Sequence, residues 1–195
     1  DLKELGGETS SGNNTTDTSV IDLSDAVGLL KVPLIGAING FAITGGFELA
    51  LMCDILIAST KARFADTHAR VGVVPGWGLS QRLPRLVGIN RAKELSLSGN
   101  FLDAQTAYNW GLVNRVVDPD DLLPSARALA QDILSTDRPT REAMLDIMDR
   151  GWNTTLADGL DVEAVANKSH AANHVKSEKI AARRQEILRR GRSQA

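Results

Sequence analysis

Short apolar runs separated by turn residues dominate the first part of the chain. The runs "LIGAIN" and "ILIAS" are bounded by Pro33, Asn39-Gly40 and Asp54, a pattern typical of strands buried on both faces. Between them, "FELALMC" is largely apolar and predicts a short buried helix. A strand, a helix and a second strand at this spacing predict a βαβ unit in a parallel sheet. The segment "ARFAD" is a candidate third strand.

Helical periodicity appears on both sides of this segment. Apolar residues from Val20 to Leu30 recur at helical spacing, and Pro33 marks the end of that helix. A second helix is predicted to begin near Gly78, after a Pro-Gly turn. "NRAKELSLSG" predicts a third, with Asn90 as its N-cap and Gly99 as its stop.

"DAQTAYNWG" predicts one more helix, capped by Asp103 and stopped by Gly111, and "LVNRVV" after it predicts a short strand. From Asp120 onward the pattern is helical throughout. The apolar positions of this part form two stripes: Leu122, Ala126, Leu129, Ala130 and Ile133, and Met144, Ile147, Met148, Gly151 and Trp152. The predicted organisation is an α/β core over residues 1–119 and an all-helical region over residues 120–195, with no internal repeat in the sequence.

The start of the chain has a different composition. Residues 6–19, "GGETSSGNNTTDTS", contain almost no apolar side chain and predict a mobile loop. The chain opens on Asp1 rather than on methionine, and "DLKEL" reads like a segment from inside a domain. We therefore expect further residues to precede Asp1.

Composition and charge narrow the class of protein. The net charge of −2 gives no general attraction to nucleic acid or to membranes. No apolar run reaches the length of a membrane span. Cys53 is the single cysteine, so no intrachain disulfide forms and a reducing compartment fits. These features predict a cytoplasmic protein without nucleic-acid or membrane partners.

The stretch "AITGGFELALMCD" places Glu48 two residues after the paired glycines Gly45 and Gly46. Backbone N–H groups at the start of a helix lack intrahelical partners and attract an anion or a developing oxyanion. Gly45 and Gly46 let such an oxygen approach closely. Spacing alone leaves two interpretations of Glu48 open: a helix-start glutamate favoured by the dipole, which is the commoner case, or an acid/base beside the bound oxygen.

The segment "VPLIGAINGFAITGGFELALMCDILIAS" resembles the central motif of the crotonase superfamily, the enoyl-CoA hydratase/isomerase family. That motif has a strand led by proline, then A-x-N-G, then G-G-x-E-L-A-x-x-C-D. The resemblance runs from Lys31 to Val117 and continues more weakly through the helical tail. It implies a crotonase-like ββα spiral core, incomplete at its N-terminus, followed by the C-terminal all-helical region. The opening "DLKEL" also resembles a segment of the family. In the family this segment directly follows the residue whose N–H is the first oxyanion-hole donor.

The resemblance implies an enoyl-CoA hydratase, a lyase that adds water to a 2-enoyl-CoA thioester through a stabilised enolate, as in fatty-acid β-oxidation. It implies Gly45 as the second oxyanion-hole donor and Glu48 as a catalytic glutamate. It also implies a homotrimer or a dimer of trimers (a hexamer) packed through the helical tail. Coenzyme A is part of the substrate, and no other cofactor and no metal is expected. The residues expected to contact substrate are Asp1, Leu2, Lys3, Ala42, Gly46 and Trp77.

Two positions depart from the family pattern. His68 in "FADTHARVG" stands where the family has its second catalytic glutamate. A histidine can exchange a proton near neutral pH and position water, while Asp66 is a nearby acidic candidate. The alternative is that His68 fills the pocket wall or bonds a backbone carbonyl. Trp77 in "PGWGLS" replaces a small residue, and it either faces the acyl chain or packs beneath its loop.

Other candidate sites in the sequence favour simpler interpretations. His170 and His174 lie four residues apart without further ligands at useful spacing, which favours a solvated helix face over a zinc site. The basic segment Lys176 to Arg192 has two interpretations. It either contacts the phosphates of CoA or, in the commoner case, is a basic helix end exposed to solvent.

Three functions therefore compete. The leading prediction is a 2-enoyl-CoA hydratase. The second is an enoyl-CoA isomerase or another enolate-forming enzyme acting on a CoA thioester. The third is a non-catalytic acyl-CoA-binding protein, which the retained Glu48 argues against and the missing second glutamate favours.

Overall fold

The structure is a computed structural model that describes residues 22–193. The chain divides into two units, Asp1–Leu30 and Lys31–Ala195. The first contains helix α1, Leu23–Gly28, and the Asp22 carboxylate caps it by accepting the backbone N–H of Ser24 at 2.8 Å. This helix ends earlier than the sequence predicted. The start of the predicted helix at Val20 and the predicted loop over residues 6–19 lie outside the described residues.

The second unit contains two small sheets of three strands each. The first sheet has the order β1-β3-β6 and is parallel throughout. The second has the order β2-β4-β5, with β2 and β4 parallel and β5 antiparallel to β4. The strands are β1 Ile35–Ile38, β2 Phe41–Ile43, β3 Ile55–Ser59, β4 Arg63–Ala65, β5 Leu102–Asp103 and β6 Arg115–Val117.

Nine α-helices accompany these strands among the described residues of the second unit. A 3-10 turn, Pro119–Asp121, separates the mixed part from the helical part. The helices are α2 Gly45–Leu51, α3 His68–Val71, α4 Leu79–Val87, α5 Ile89–Ser98, α6 Ala104–Asn109, α7 Leu122–Leu134, α8 Arg138–Trp152, α9 Leu156–His174 and α10 Ser177–Ser193.

The two sheets arise from a repeated order of elements. The chain runs β1, β2, α2 and then β3, β4, α3, so each turn adds one strand to each sheet and ends in a helix. This is the ββα spiral that the resemblance implied. The repetition is structural, and it was not visible as a repeat in the sequence. It places α2 and α3 at equivalent positions, each directly after a strand of the second sheet.

The core lies around α2 and the strands beside it. Phe47 from α2 and Phe64 from β4 are fully buried, with ring centroids 5.5 Å apart. Leu79 and Leu83 from α4 are buried in the same apolar cluster. Because α2 is held on its apolar face by this cluster, its first turn is fixed relative to β4 and to whatever follows β4.

The described chain after residue 119 is helical, as predicted. Helices α8 and α9 approach closely at Gly151 and Gly159, where a Cβ on Gly159 would lie 3.3 Å from the Gly151 backbone. In α10, the Arg190 guanidinium lies 2.8 Å from the Asp132 carboxylate of α7. Many apolar side chains of α8 to α10 remain exposed in the single chain, including Met144, Met148, Trp152, Leu160, Ile180 and Ile187.

Two local predictions need correction. Helix α2 begins at Gly45 rather than at Phe47, so the glycines belong to the helix instead of a preceding turn. Helix α5 is capped by Gly88 and not by Asn90, because the chain turns sharply at Gly88, where φ is +86°. The strand predicted in "ARFAD" is confirmed as β4, and it pairs with β2 in the second sheet.

Candidate active site

Parallel pairing of β2 with β4 brings two distant loops together. Ile43, at the end of β2, is in register with Ala65, at the end of β4. The backbone N–H of Thr44 continues the ladder by donating to the Ala65 carbonyl at 3.0 Å. The residues that follow the two strands, Thr44 and Asp66, therefore start side by side.

Thr44 makes the sharp turn from β2 into α2. Its backbone has φ 53° and ψ −114°, a conformation that is unusual for a β-branched residue. The Thr44 carbonyl accepts the N–H groups of Phe47 and Glu48 at 3.0 and 2.9 Å. Gly45 and Gly46 thus occupy the first two positions of the helix, where N–H groups have no intrahelical partner. Strain of this kind is often found at functional sites.

Glu48 lies in the first turn of α2 and is only 4% exposed. Its two carboxylate oxygens have different partners. Oε1 accepts the backbone N–H of Trp77 at 2.7 Å, and Oε2 lies 3.5 Å from Nε2 of His68. The carboxylate is therefore oriented from both sides, with Oε2 directed at the histidine.

His68 is the first residue of α3 and is 6% exposed. Its Nδ1 lies 2.6 Å from Oδ1 of Asp66, and its own backbone N–H donates to the same oxygen at 3.2 Å. Asp66 is 1% exposed. The structure thus forms a buried chain of three titratable groups in the order Asp66, His68, Glu48.

The other predicted site residues lie close to this chain where they are described. Ala42 is buried in β2, and Gly46 is exposed beside Gly45. The half-buried indole of Trp77 lies over Gly45, where a Cβ on the glycine would meet Cζ3 at 3.5 Å. Asp1, Leu2 and Lys3 lie outside the described residues.

Sequence reasoning missed two parts of the site. The Trp77 backbone N–H that holds Glu48 comes from a loop 29 residues further along the chain, and no residue type in the sequence signals that contact. Asp66 was noticed as a nearby acid, but its partner was not identified. The Asp-x-His spacing was the available signal, since a side chain at i can bond both the backbone and the ring of residue i+2.

The second pair of histidines forms a different arrangement. The rings of His170 and His174 stack with centroids 4.9 Å apart, and Nε2 of His170 lies 3.1 Å from the Thr140 hydroxyl. Within residues 22–193, no group of three or more His, Cys, Asp or Glu side chains is arranged to hold a metal ion. No helix in the same range is both long and apolar enough to span a membrane.

Comparison with known proteins first defines the class. A crystal structure of an enoyl-CoA hydratase from Mycobacterium avium is 49% identical in sequence, with a TM-score of 0.63, over 73% of this chain and 64% of that one. Together with the two-sheet ββα spiral, this likeness assigns the chain to the crotonase class of α/β proteins. The family model for enoyl-CoA hydratase/isomerase matches residues 1–186. The chain belongs to the enoyl-CoA hydratase/isomerase family.

Two curated relatives are similar over most of this chain. A probable peroxisomal enoyl-CoA hydratase from Arabidopsis thaliana is 46% identical over 142 residues, which is 73% of this chain. A probable enoyl-CoA hydratase from Mycobacterium leprae is 42% identical over 163 residues, or 82% of this chain. This chain spans 53% and 62% of the lengths of these two relatives.

Proposed function

We propose that this chain carries the catalytic centre of a 2-enoyl-CoA hydratase, an enzyme that adds water across a double bond conjugated to a thioester. The observation that carries the proposal is the buried pair formed by Glu48 Oε2 and His68 Nε2, 3.5 Å apart beside the Gly45 turn. The names of the relatives support the same reaction.

Gly45 supplies the donor that such a reaction needs. Its N–H stands at the first position of α2, where the helix leaves it free to bond the thioester oxygen. Attack at the β-carbon turns the thioester into an enolate whose charge collects on that oxygen. Fixed donors and the helix dipole stabilise this negative charge more than they stabilise the neutral thioester, and this difference lowers the barrier.

Glu48 and His68 then hold the reacting water. Their 3.5 Å separation is longer than a good charge-assisted hydrogen bond, so the direct link between them is weak. A water about 2.8 Å from both atoms gains a stronger bond to each. Glu48 takes one proton from this water, the oxygen bonds to the β-carbon, and the proton passes to the α-carbon. The product thus contains all the atoms of one water, and His68 orients the water by accepting its second O–H.

The remaining residues shape the space for substrate. Ala42 and Gly46 flank the turn that carries the donor, and the Trp77 indole bounds the space above Gly45. This arrangement favours a short or flat acyl chain. Asp1, Leu2 and Lys3 are assigned to substrate binding through the resemblance of "DLKEL" alone.

A second candidate is an enoyl-CoA isomerase or another enolate-forming enzyme. This candidate is favoured because the Glu48–His68 pair contains one carboxylate, that of Glu48. The Asp66 carboxylate contacts His68 at Nδ1, on the other side of the ring. A single base suffices to move a proton between two carbons. A non-catalytic acyl-CoA-binding protein would keep the Gly45 turn and would need neither the Glu48 carboxylate nor the His68 ring.

A panel of CoA thioesters tests these functions. The natural chain should consume crotonyl-CoA, with loss of the enoyl absorbance, and form the 3-hydroxyacyl product. Glu48→Gln keeps the shape of the side chain and the bond from Trp77, so it should lower turnover at least about 100-fold and leave binding of a saturated acyl-CoA unchanged. Double-bond migration without hydration would establish the isomerase instead. Binding with no turnover of any thioester would leave the binding protein.

Assembly and cellular role follow as proposals from the same assignment. The exposed apolar side chains of α8 to α10 support a homotrimer or a dimer of trimers, which light scattering would measure. We propose a role in fatty-acid β-oxidation, because 2-enoyl-CoA thioesters are intermediates of that process. The cytoplasmic location stays a prediction.

A further inference from the structure

We propose that Asp66 is a positioning residue that fixes the tautomer of His68, with the proton on Nδ1 and the lone pair of Nε2 facing Glu48. The arrangement of the three groups carries this inference. Its consequence for water addition rests on the proposed hydratase function, while the tautomer itself does not.

The first step concerns which atom of Asp66 acts as an acceptor. Oδ1 receives two donors from one residue: the backbone N–H of His68 at 3.2 Å and the imidazole Nδ1 at 2.6 Å. Because the backbone N–H can only donate, Oδ1 presents lone pairs at this place. Nδ1 at 2.6 Å from the same oxygen must then carry a hydrogen, since two lone pairs at that distance would repel.

The second step concerns the far side of the ring. A neutral imidazole with its hydrogen on Nδ1 has only a lone pair on Nε2. Nε2 lies 3.5 Å from Oε2 of Glu48. This distance is long for a direct hydrogen bond between the two atoms, and it suits two acceptors that receive hydrogens from one shared donor. Water, with two O–H groups, is such a donor. His68 thus presents an acceptor in the place where the family has a carboxylate oxygen.

The third step is the rigidity of the arrangement. Asp66 follows β4 directly, and it is 1% exposed. The Thr44 N–H bond to Ala65 holds the end of β4 against the turn that precedes Gly45. An acceptor so placed gives the ring one orientation relative to Glu48. Without Asp66, either ring nitrogen can carry the hydrogen, and the form with hydrogen on Nε2 would point a donor at the water.

The tautomer can be observed directly, because the chain has only three histidines. Long-range proton–nitrogen correlation spectra of the full 195-residue chain labelled with 15N-histidine distinguish a protonated ring nitrogen from one with a lone pair. The signals of His68 are those that disappear in His68→Gln. We expect hydrogen on Nδ1 and a lone pair on Nε2 in the natural chain. A ring with Nε2 protonated, in neutral or cationic form, would overturn the proposal.

Variants at Asp66 test the cause. Asp66→Leu, which keeps the branching of the side chain at Cγ but removes the acceptor, should give a mixture of tautomers. Asp66→Asn keeps an acceptor oxygen and should retain part of the Nδ1–H form, so it keeps the test valid if the leucine variant does not fold. Asp103→Asn makes the same change at a helix cap outside the site and should leave the His68 spectrum as it was. An unchanged His68 tautomer in folded Asp66→Leu would also overturn the proposal.

Kinetics connect the tautomer to function. In the Asp66 variants kcat for crotonyl-CoA hydration should fall, about 100-fold for the leucine variant, while KM changes little, because substrate contacts remain. If the natural chain hydrates no thioester but shows the expected tautomer, the proposed function fails and the role of Asp66 stands. If hydration is normal in folded Asp66→Leu, the positioning role fails and the hydratase stands.

Discussion

The hydroxyl groups of Thr44 and Thr67 are hydrogen-bonded at 2.5 Å, although the residues lie 23 positions apart in the chain. Thr44 precedes the helix that carries Glu48, and Thr67 precedes the helix that begins with His68. The bond therefore joins the two turns that lead into the helices of Glu48 and His68. It also holds Thr44 in a backbone conformation that costs on the order of 1–3 kcal/mol.

Loss of this bond should weaken both stability and catalysis. Thr44→Ala removes the hydroxyl and should lower the free energy of unfolding by about 1 kcal/mol relative to Thr44→Ser, which retains it. Urea unfolding followed by tryptophan fluorescence measures the difference. Turnover should fall in the alanine variant and stay near the natural value in the serine variant. If Thr44→Ala and Thr67→Ala destabilise independently, so that the double variant shows the sum of both effects, the two hydroxyls do not interact.

Restoring the family's glutamate should fail unless Asp66 changes as well. His68→Glu places a carboxylate beside the buried Asp66, which then loses its ring partner and faces a like charge. We expect the free energy of unfolding to drop by about 3 kcal/mol and hydration to be slower than in the natural chain.

The double variant His68→Glu with Asp66→Asn is the matched test. The amide is neutral and can donate a hydrogen bond to the new carboxylate, so it should recover most of the lost stability. Hydration of crotonyl-CoA should recover with it. A single His68→Glu variant that is already as stable and as active as the natural chain would show that Asp66 and the side chain at position 68 are not coupled.

The Trp77 side chain should limit the length of the acyl chain. Trp77→Ala removes the indole above Gly45 and leaves the backbone N–H that holds Glu48. The ratio of kcat/KM for a long 2-enoyl-CoA to that for crotonyl-CoA should rise about tenfold, because one or two methylenes of new apolar contact are worth that much. Trp77→Phe, which keeps a ring, serves as the control. An unchanged ratio of the two kcat/KM values in the alanine variant would mean that the indole only packs against its loop and does not contact the acyl chain.

The cap of α6 should make a small part of the stability depend on pH. Hydrogen bonds from the Thr106 backbone N–H and then from its hydroxyl hold the pKa of Asp103 below its ordinary value. A carboxyl with a lowered folded pKa contributes stability that is present above its unfolded pKa and is lost as the pH falls through the folded pKa. Asp103→Ala should therefore cost about 1 kcal/mol at neutral pH, and the difference should shrink below about pH 4.

Asp103→Asn separates the cap from the charge. Asparagine caps helices as well as aspartate does but does not titrate in this range. Its unfolding free energy should stay near that of the natural chain at neutral pH. Unfolding curves collected from neutral to acid pH give the comparison. If Asp103→Ala lowers the free energy of unfolding by the same amount over the whole pH range, the charge of Asp103 contributes nothing to stability.

Several local elements were predictable because their causes are local. The strands of "LIGAIN" and "ILIAS" follow from apolar runs between turn residues, and both appear as β1 and β3. The Asp103 cap and the Gly99 stop appear where the sequence placed them. Neighbouring residues decide each of these features. The resemblance around Gly45 and Glu48 also indicated the family from the sequence alone.

The sequence by itself determined where β1, β3 and the longer helices lie and which residue types stand at the site, because periodicity, capping chemistry and a motif are properties of adjacent positions. Tertiary structure alone decided that β4 pairs with β2 and that a tryptophan N–H holds Glu48. It also decided that the Asp66 carboxylate contacts the ring of His68. These contacts depend on which strands share a sheet and in what register, and that choice is made by packing across the whole core.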